Sequence, residues 1–297
     1  MGKVCAVVVT YNRKEKLEKC ILKLLNQQGS ECDILVVDND SNDGTREMIN
    51  DSFLAQGVIY YNTGANLGGA GGFEFGVKEA VSRGYDYIWI MDDDTWPSET
   101  ALAELFKADK LLSGNWGFLS SIAYWTDGTI CRMNIQKRNI FKHVGKKEYK
   151  TNISPIEMCS FVSLLVKSEI VRELGLPIGE YFIWTDDYEF TGRISRKYRC
   201  YMVTDSKVVH AMDRHIRVDF ARDDSSRLER YHYIYRNDVH CYRQYGIWGW
   251  LYIFLKNIYT ILNVLLHANS SKLDRIRIVI QGMIEGISFN PSIRKVN

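Results

Sequence analysis

The sequence predicts an α/β fold: a mostly parallel sheet flanked by helices, followed by a C-terminal helical extension. Three observations carry this. Short apolar runs alternate with amphipathic stretches across the first hundred residues. Several of those runs stop abruptly at an acidic residue. From Arg230 onward the chain reads as helical and tyrosine-rich.

The elements follow in order. Val4–Val9 (VCAVVV) is a continuous apolar run, as a buried strand requires. Asn12 and Glu15 have the spacing of a capping box, and the helix they open places Leu17, Cys20, Ile21, Leu24 and Leu25 on one face. Ile34–Val37 is the next strand and ends at Asp38; Ser41-Asn42-Asp43-Gly44 is turn chemistry. A short helix around Arg46–Asn50 leads to a strand over Val58–Tyr61. Asn66–Gly76 (NLGGAGGFEFG) then holds five glycines in eleven residues, and a helix with Phe73, Val77, Ala80 and Val81 inward follows. Tyr87–Met91 is a fourth strand, ending at Asp92. Pro97 and Ser98 open a helix that buries Ala101, Leu102, Leu105 and Phe106. Residues 114–151, with the basic run KRNIFKHVGKK, read only as extra strands and a mobile loop. Cys159–Val166 is a further strand, and Ile183 to Tyr198 enters a helix.

A chain of 297 residues that is 46% hydrophobic can bury a sizeable core, so one large domain (1–215) and a helical region (216–297) are expected. The net charge of only +2 gives no whole-molecule case for nucleic-acid binding. Seven cysteines without a CxxC point to free thiols in a reducing, cytoplasmic setting rather than to zinc. Val4–Val9 is too short for a secretory signal core, and Ala6 stands where myristoylation wants Ser or Thr.

The acidic strand ends are where an α/β sheet binds ligands. Asp92-Asp93-Asp94 follows a strongly apolar strand, and alternation turns Asp92 and Asp94 to one side with Asp93 to the other. Two hard oxygen ligands suit Mg²⁺ or Mn²⁺, which stabilise a departing diphosphate. The alternative is a polar strand terminus that starts a turn. The glycine stretch is neither GxGxxG, because the sixth position counted from Gly69 is Glu74, nor a P-loop, because no Gly-Lys-Ser/Thr follows. It reads either as a strand-to-helix turn whose N–H groups meet an anion or sugar, or as a packing crossing between helix and sheet.

A second acidic cluster lies in IWTDDYEF, Ile183–Phe190. Asp186 and Glu189 have capping-box spacing. That leaves Asp187 in a first helical turn, where it can accept a proton from an attacking hydroxyl. His210 ends an apolar run and is a candidate third metal ligand. His143, His215, His232, His240 and His267 show no ligand spacing.

Taken together, VVVTYNR, VVDNDSNDGT, the DDD triplet, and IWTDDYEF followed by VVHAMD resemble the GT-A-fold family 2 glycosyltransferases over about Val4 to Asp213. NLGGAGGF together with IWxDDxEF is most similar to the galactofuranosyltransferase and rhamnosyltransferase branch. The resemblance implies a Rossmann-like GT-A domain and a metal-dependent, inverting transfer of a sugar from a nucleotide donor. Galactofuranose from UDP-galactofuranose is the first expectation, and a rhamnosyl or other UDP- or dTDP-hexose transfer is the alternative. It implies that Thr10, Tyr11 and Asn12 line the nucleotide pocket and that Asp38 holds uracil or ribose. Asn66, Gly68 and Gly69 would border the diphosphate and sugar, as would Asp92 and Asp93. Asp92, Asp94 and His210 would hold Mn²⁺ or Mg²⁺, Trp184 would pack on a sugar ring, and Asp187 would be the base. Thr185 stands where some members of the galactofuranosyl branch carry Trp directly before the Asp pair. The acceptor would be a glycan or lipid-linked oligosaccharide, in cell-surface polysaccharide assembly.

Two readings from the residues stay open beside this. Tyr245–His267 is rich in Trp, Tyr, Ile and Leu but interrupted by Lys256 and Asn257, with Lys272, Arg275 and Arg277 following. It suits either peripheral contact with the inner face of the cell membrane or packing on the catalytic domain or in a homo-oligomer. Separately, DDDT at Asp92–Thr95 also satisfies the DxDx[TV] pattern of haloacid-dehalogenase-type phosphatases, which place it on their first strand.

Overall fold

The central strand, β1 (Val4–Thr10), is buried at every position. Its alternate residues serve two cores: Val4, Ala6 and Val8 pack on one side of the sheet, Cys5, Val7 and Val9 on the other. In this computed structural model, which describes residues 2–212, 219–223 and 225–296, β1 pairs in parallel with β2 (Asp33–Asp38) and β4 (Tyr87–Asp92). β3 (Ile59–Asn62) extends this half, parallel to β2. Strands covered on both faces need no polar alternation, which is why VCAVVV and YIWIM are legible as apolar runs.

The sheet is mixed rather than uniformly parallel. Its order is β3-β2-β1-β4-β10-β6-β11-β5, with β9 (Ile153–Ile156) also on β11. β10 (Leu164–Lys167) is antiparallel to both β4 and β6 (Phe118–Tyr124). β11 (Cys200–His210) is parallel to β6 and antiparallel to β5 (Thr95–Pro97) and β9. A separate hairpin pairs β7 (Lys137–Asn139) with β8 (Lys142–His143). One face is covered by α1 (Lys14–Leu25), α2 (Thr45–Ser52) and α4 (Ala101–Leu111). The other carries α3 (Gly68–Ser82), α5 (Ser168–Leu174) and α6 (Asp186–Ser195).

Several local expectations are corrected. Neither capping box forms. Arg13 is the N-cap of α1 and Thr185 that of α6, without side-chain cap bonds. Asn12 Oδ1 is taken instead by the Asn42 backbone N–H, and Glu189 pairs with Arg193. Leu25 is exposed. Pro97 belongs to the edge strand β5, a position that tolerates a missing N–H, and α4 begins at Ala101. Ser163 has φ +65° and its hydroxyl accepts from Trp89 Nε1, so the strand starts only at Leu164. The glycines do not form a turn; they lie inside α3. A Cβ on Gly72 or Gly76 would overlap Val9 or Val7, so these two seat the helix on the sheet, which is the packing alternative.

The C-terminal helices are α7 (Tyr231–Arg243), α8 (Gly246–His267) and α9 (Lys272–Ser288). Gly282 and Gly286 let α9 lie directly on α7, where a Cβ would strike Tyr235 and the Arg236 carbonyl. The tail then returns to the end of α5, where Leu176 N–H donates to the Arg294 carbonyl at 2.8 Å. Among the described residues α8 is the one helix long and apolar enough to cross a membrane. Its outward face exposes Ile247, Trp248, Trp250, Leu251, Phe254, Leu255, Ile258, Tyr259, Leu262, Leu265 and Leu266. The expected boundary at 215/216, with Asp213 and His215, lies outside the described residues.

Candidate active site

Pairing of β5 with β11 builds the acidic end of the sheet. Thr95 stands opposite His210, and Ala211 N–H donates to the Asp94 carbonyl at 2.8 Å. This register carries His210 to the triplet although most of the domain separates them in sequence. One ligand atom each from Asp92, Asp94 and His210 lies within 4.8 Å of the others. Asp93 and Asp94 lie in the turn between β4 and β5, where strand alternation does not set their directions: Asp93 accepts from Thr10 Oγ1 at 2.8 Å, and one Arg13 Nη pairs with both Asp93 and Asp94, at 3.3 and 3.0 Å.

Three observations show that these residues fit a divalent cation. His210 Nε2 lies 2.9 Å from Asp94 Oδ1, yet Oδ1 is buried without an aligned hydrogen-bond donor. Neighbouring ligands on an octahedral ion with bonds of 2.0–2.1 Å stand about 3 Å apart, so the spacing suits two ligands sharing one ion. The charge balance agrees. Burial opposes a charged His210, but Asp94, Cys131 and Asp92 outweigh it and push the ring up to about 10. Burial likewise opposes an ionised Asp94, but His210, Arg13 and Lys16 hold it down to about 2. Finally, His210 Nδ1 lies 2.7 Å from Asn134 Oδ1, whose amide nitrogen donates to Ser160 Oγ at 2.8 Å. An imidazole that donates Nδ1–H to a fixed carbonyl presents Nε2 to a metal.

The first turn of α6 holds Asp186 and Asp187 within reach of the negative charge of Asp92, which raises both. Burial, reinforced by Asp92 and Glu189, pushes Asp186 up to about 7. Burial and then Asp186 raise Asp187 well above the usual carboxylate range, while Lys137 acts to lower it.

The loop that delivers α6 is strained. Phe182, Trp184 and Thr185 all have positive φ, 64°, 65° and 67°, which costs roughly 1–3 kcal/mol per non-glycine residue. It persists because its carbonyls are gripped. Asn237, fully buried on α7, donates to Tyr181, Ile183 and Trp184 at 3.0, 3.1 and 3.0 Å. Gly68 closes the other side, with φ +72° and the Phe182 carbonyl where its Cβ would be.

The expected donor residues divide. Tyr11 is exposed, and Asn12 and Asn66 lie at the surface. Gly69 has open space around it, while Gly68 is buried. Thr10 and Asp93 are buried against one another. Asp38 has no exposed surface; it accepts from Ser41 N–H and Tyr60 Oη at 2.9 and 2.6 Å, so it anchors the 39–44 loop. That loop and Asn62 line an open cavity of about 410 Å³ with Arg46 and Glu47. Trp184 packs against Tyr231, ring centroids 5.2 Å apart. Arg13, Lys16, Asn134, Lys137 and Asn237 were not expected at the site. Arg13, next to Asn12 in VVVTYNR, and Lys137, first of the basic run KRNIFKHVGKK, lay in stretches the sequence singled out.

The architecture is the Rossmann-like GT-A fold. The mannosyltransferase PcManGT from Pyrobaculum calidifontis, solved with GDP-Man and Mn²⁺, superposes with a TM-score of 0.61 at 15% identity, covering 97% of this chain and 87% of that one. Residues 5–113 match the model for Glycosyl transferase family 2. Galactofuranosyltransferase GlfT1 of Mycolicibacterium smegmatis is 38% identical over 99 residues, 33% of this chain and 32% of that protein. Abequosyltransferase RfbV of Salmonella typhimurium is 37% identical over 105 residues, 33% of this chain and 30% of that one. The chain thus spans about a third of the length of these curated relatives.

Proposed function

We propose that the protein is an inverting, metal-dependent glycosyltransferase that moves a sugar from a nucleotide donor to a hydroxyl of a glycan or lipid-linked acceptor. The observation that carries the reading is the cluster of Asp92, Asp94 and His210, with Asp187 within electrostatic reach of Asp92. Asp92, Asp94 and His210 would hold Mn²⁺ or Mg²⁺, which supplies charge neutralisation for the departing nucleoside diphosphate. Asp187 accepts the proton of the attacking hydroxyl. The clamped 181–185 loop holds that carboxylate in place, which favours attack geometry. Asn12, Asn66, Gly68 and Gly69 border the donor, and the cavity beside Asp40–Glu47 takes its nucleoside. Thr10, Asp38 and Asp93 act by fixing Arg13 and the loops.

The similarity to GlfT1 favours UDP-galactofuranose as donor; the similarity to RfbV keeps a deoxyhexose in view. Asp92 ends the fourth strand in a three-ligand cluster rather than standing alone on the first strand, which disfavours a phosphatase nucleophile. We divide the chain into a catalytic domain and a C-terminal helical region whose α8 face contacts the cytoplasmic membrane surface. The test is UDP release in Mn²⁺ from UDP-galactofuranose, UDP-galactopyranose and UDP-glucose, beside dTDP release from dTDP-rhamnose. Faster turnover of UDP-galactofuranose supports the donor choice. Turnover of none, with an acceptor-glycan mixture present, contradicts the function.

A further inference from the structure

Residues 137–150 carry six basic side chains against one acidic one, Glu148. Glu148 is taken up locally: it pairs with Arg138 at 3.0 Å and accepts from the Gly145 N–H at 3.0 Å. Lys142, Lys146 and Lys147 are exposed, and no carboxylate pairs with them among the described residues. Exposed lysines are ordinary; their neighbours here are not. Phe141, in the turn of the β7–β8 hairpin, is 54% exposed, and its ring packs edge-on against Tyr252 of α8, centroids 5.8 Å apart. Tyr252 borders the outward face of that helix. Trp248 stands four residues before it and Leu255 three after, the spacings that set helical side chains side by side. The hairpin is pinned to this edge, because Lys137 Nζ donates to Tyr242 Oη at 2.6 Å and lies 5.3 Å from the ring centroid of Tyr252.

We propose that the β7–β8 hairpin and the outward face of α8 form one surface that docks on an anionic lipid bilayer. The α8 side chains and Phe141 enter the boundary between headgroups and acyl chains. Lys142, Lys146 and Lys147 meet lipid phosphates. The inference rests on reading α8 as the membrane-contacting face; it adds a second element and the sign of the lipid charge. Charge decides between occupants. α8 contains no Asp or Glu, so a second copy of this face brings no carboxylate to the lysines. An anionic bilayer offers an apolar layer and negative charge together, and each basic residue near such a surface adds to binding. Lys137 Nζ also lies 4.7 Å from the ring centroid of Tyr188, the residue after Asp187. The docking surface and the helix that carries Asp187 therefore meet at Lys137.

The test is flotation of the 297-residue chain with vesicles of phosphatidylcholine alone and of equimolar phosphatidylcholine and phosphatidylglycerol. The wild type should bind the anionic vesicles at least tenfold more tightly, and high salt should shrink the difference. Lys142→Glu, Lys146→Glu and Lys147→Glu together should remove the preference for anionic vesicles and leave binding to neutral ones unchanged. Should that variant not fold, the three corresponding Gln substitutions must also weaken the preference. An undiminished preference in the folded variant overturns the proposal. Trp248→Glu combined with Phe254→Glu separates the two failures. If the wild type binds neither vesicle, or this pair leaves flotation unchanged, the membrane reading of α8 falls and the proposal with it. If the pair abolishes flotation while the lysine substitutions change nothing, only the role of the hairpin falls.

Discussion

The side-chain amide of Asn237 donates to the main-chain carbonyl of Trp184 at 3.0 Å. The same nitrogen also holds the carbonyls of Tyr181 and Ile183. A helix of the C-terminal region thus fixes the strained loop that presents Asp187. Replacing Asn237 by Ala leaves these carbonyls without that donor, at a cost of roughly 1–3 kcal/mol. A lowered Tm and a fall in kcat larger than the rise in donor KM are expected. Unchanged kcat in Asn237→Ala would show that the loop holds its shape without the clamp.

The glycine stretch makes opposite predictions at adjacent positions. At Gly68 a Cβ meets the Phe182 carbonyl at positive φ, so Gly68→Ala should lower stability by more than 1 kcal/mol. At Gly69 nothing lies within 4 Å of the added Cβ, so Gly69→Ala should be neutral or gain up to about 1 kcal/mol of helix propensity. Chemical denaturation of both variants checks the contrast. A further effect of Gly69→Ala on donor KM would place the sugar nucleotide against that bare backbone.

Asp187 should govern the pH dependence of turnover. Burial and Asp186 raise its proton affinity, so the base form accumulates only as pH rises. The acid limb of kcat/KM should therefore lie above the ordinary carboxylate range near 4. Asp187→Asn should lose about 10²–10⁴ in kcat while nucleotide binding by calorimetry persists. A limb at ordinary carboxylate pH in the wild type would contradict the assignment.

Asp186 makes a matching prediction for stability. Its folded pKa is raised to about 7, so the native state holds this proton where the unfolded state, near 3.9, has released it. Its contribution is full below about pH 4 and lost as pH rises through 7. Asp186→Asn should reduce the decline of Tm across that window. The same decline in both proteins would remove Asp186 as its source.

The outward face of α8 presents eleven large apolar side chains. Flotation with vesicles containing anionic lipid should recover the wild type. Trp248→Glu combined with Phe254→Glu should lower recovery at least tenfold. Sedimentation of a stable lipid-free dimer, disrupted by the same substitutions, would assign this face to a second copy instead.

The parallel half of the sheet was legible because its strands are covered on both faces and read as unbroken apolar runs. β6 was not, because FLSSIAY buries Ser120 and Ser121, and Ser121 is satisfied only by Ser163 and Ser206 far along the chain. The triplet and His210 were recognisable from their places at strand ends. Asn134, Lys137 and Asn237 were not, because each acts through a contact with a segment remote in sequence. The glycine stretch stayed open between two readings for a related reason. Spacing alone cannot separate a helix packed tightly on a sheet from a turn that meets a phosphate.

The central claim is that a cation held by Asp92, Asp94 and His210 secures the donor diphosphate. Calorimetric titration of UDP with and without Mn²⁺, in the wild type and in Asp94→Ala, tests it most directly. Mn²⁺ should tighten UDP binding by the wild type at least tenfold and leave binding by Asp94→Ala unchanged. Equal wild-type affinity in both conditions would contradict the account.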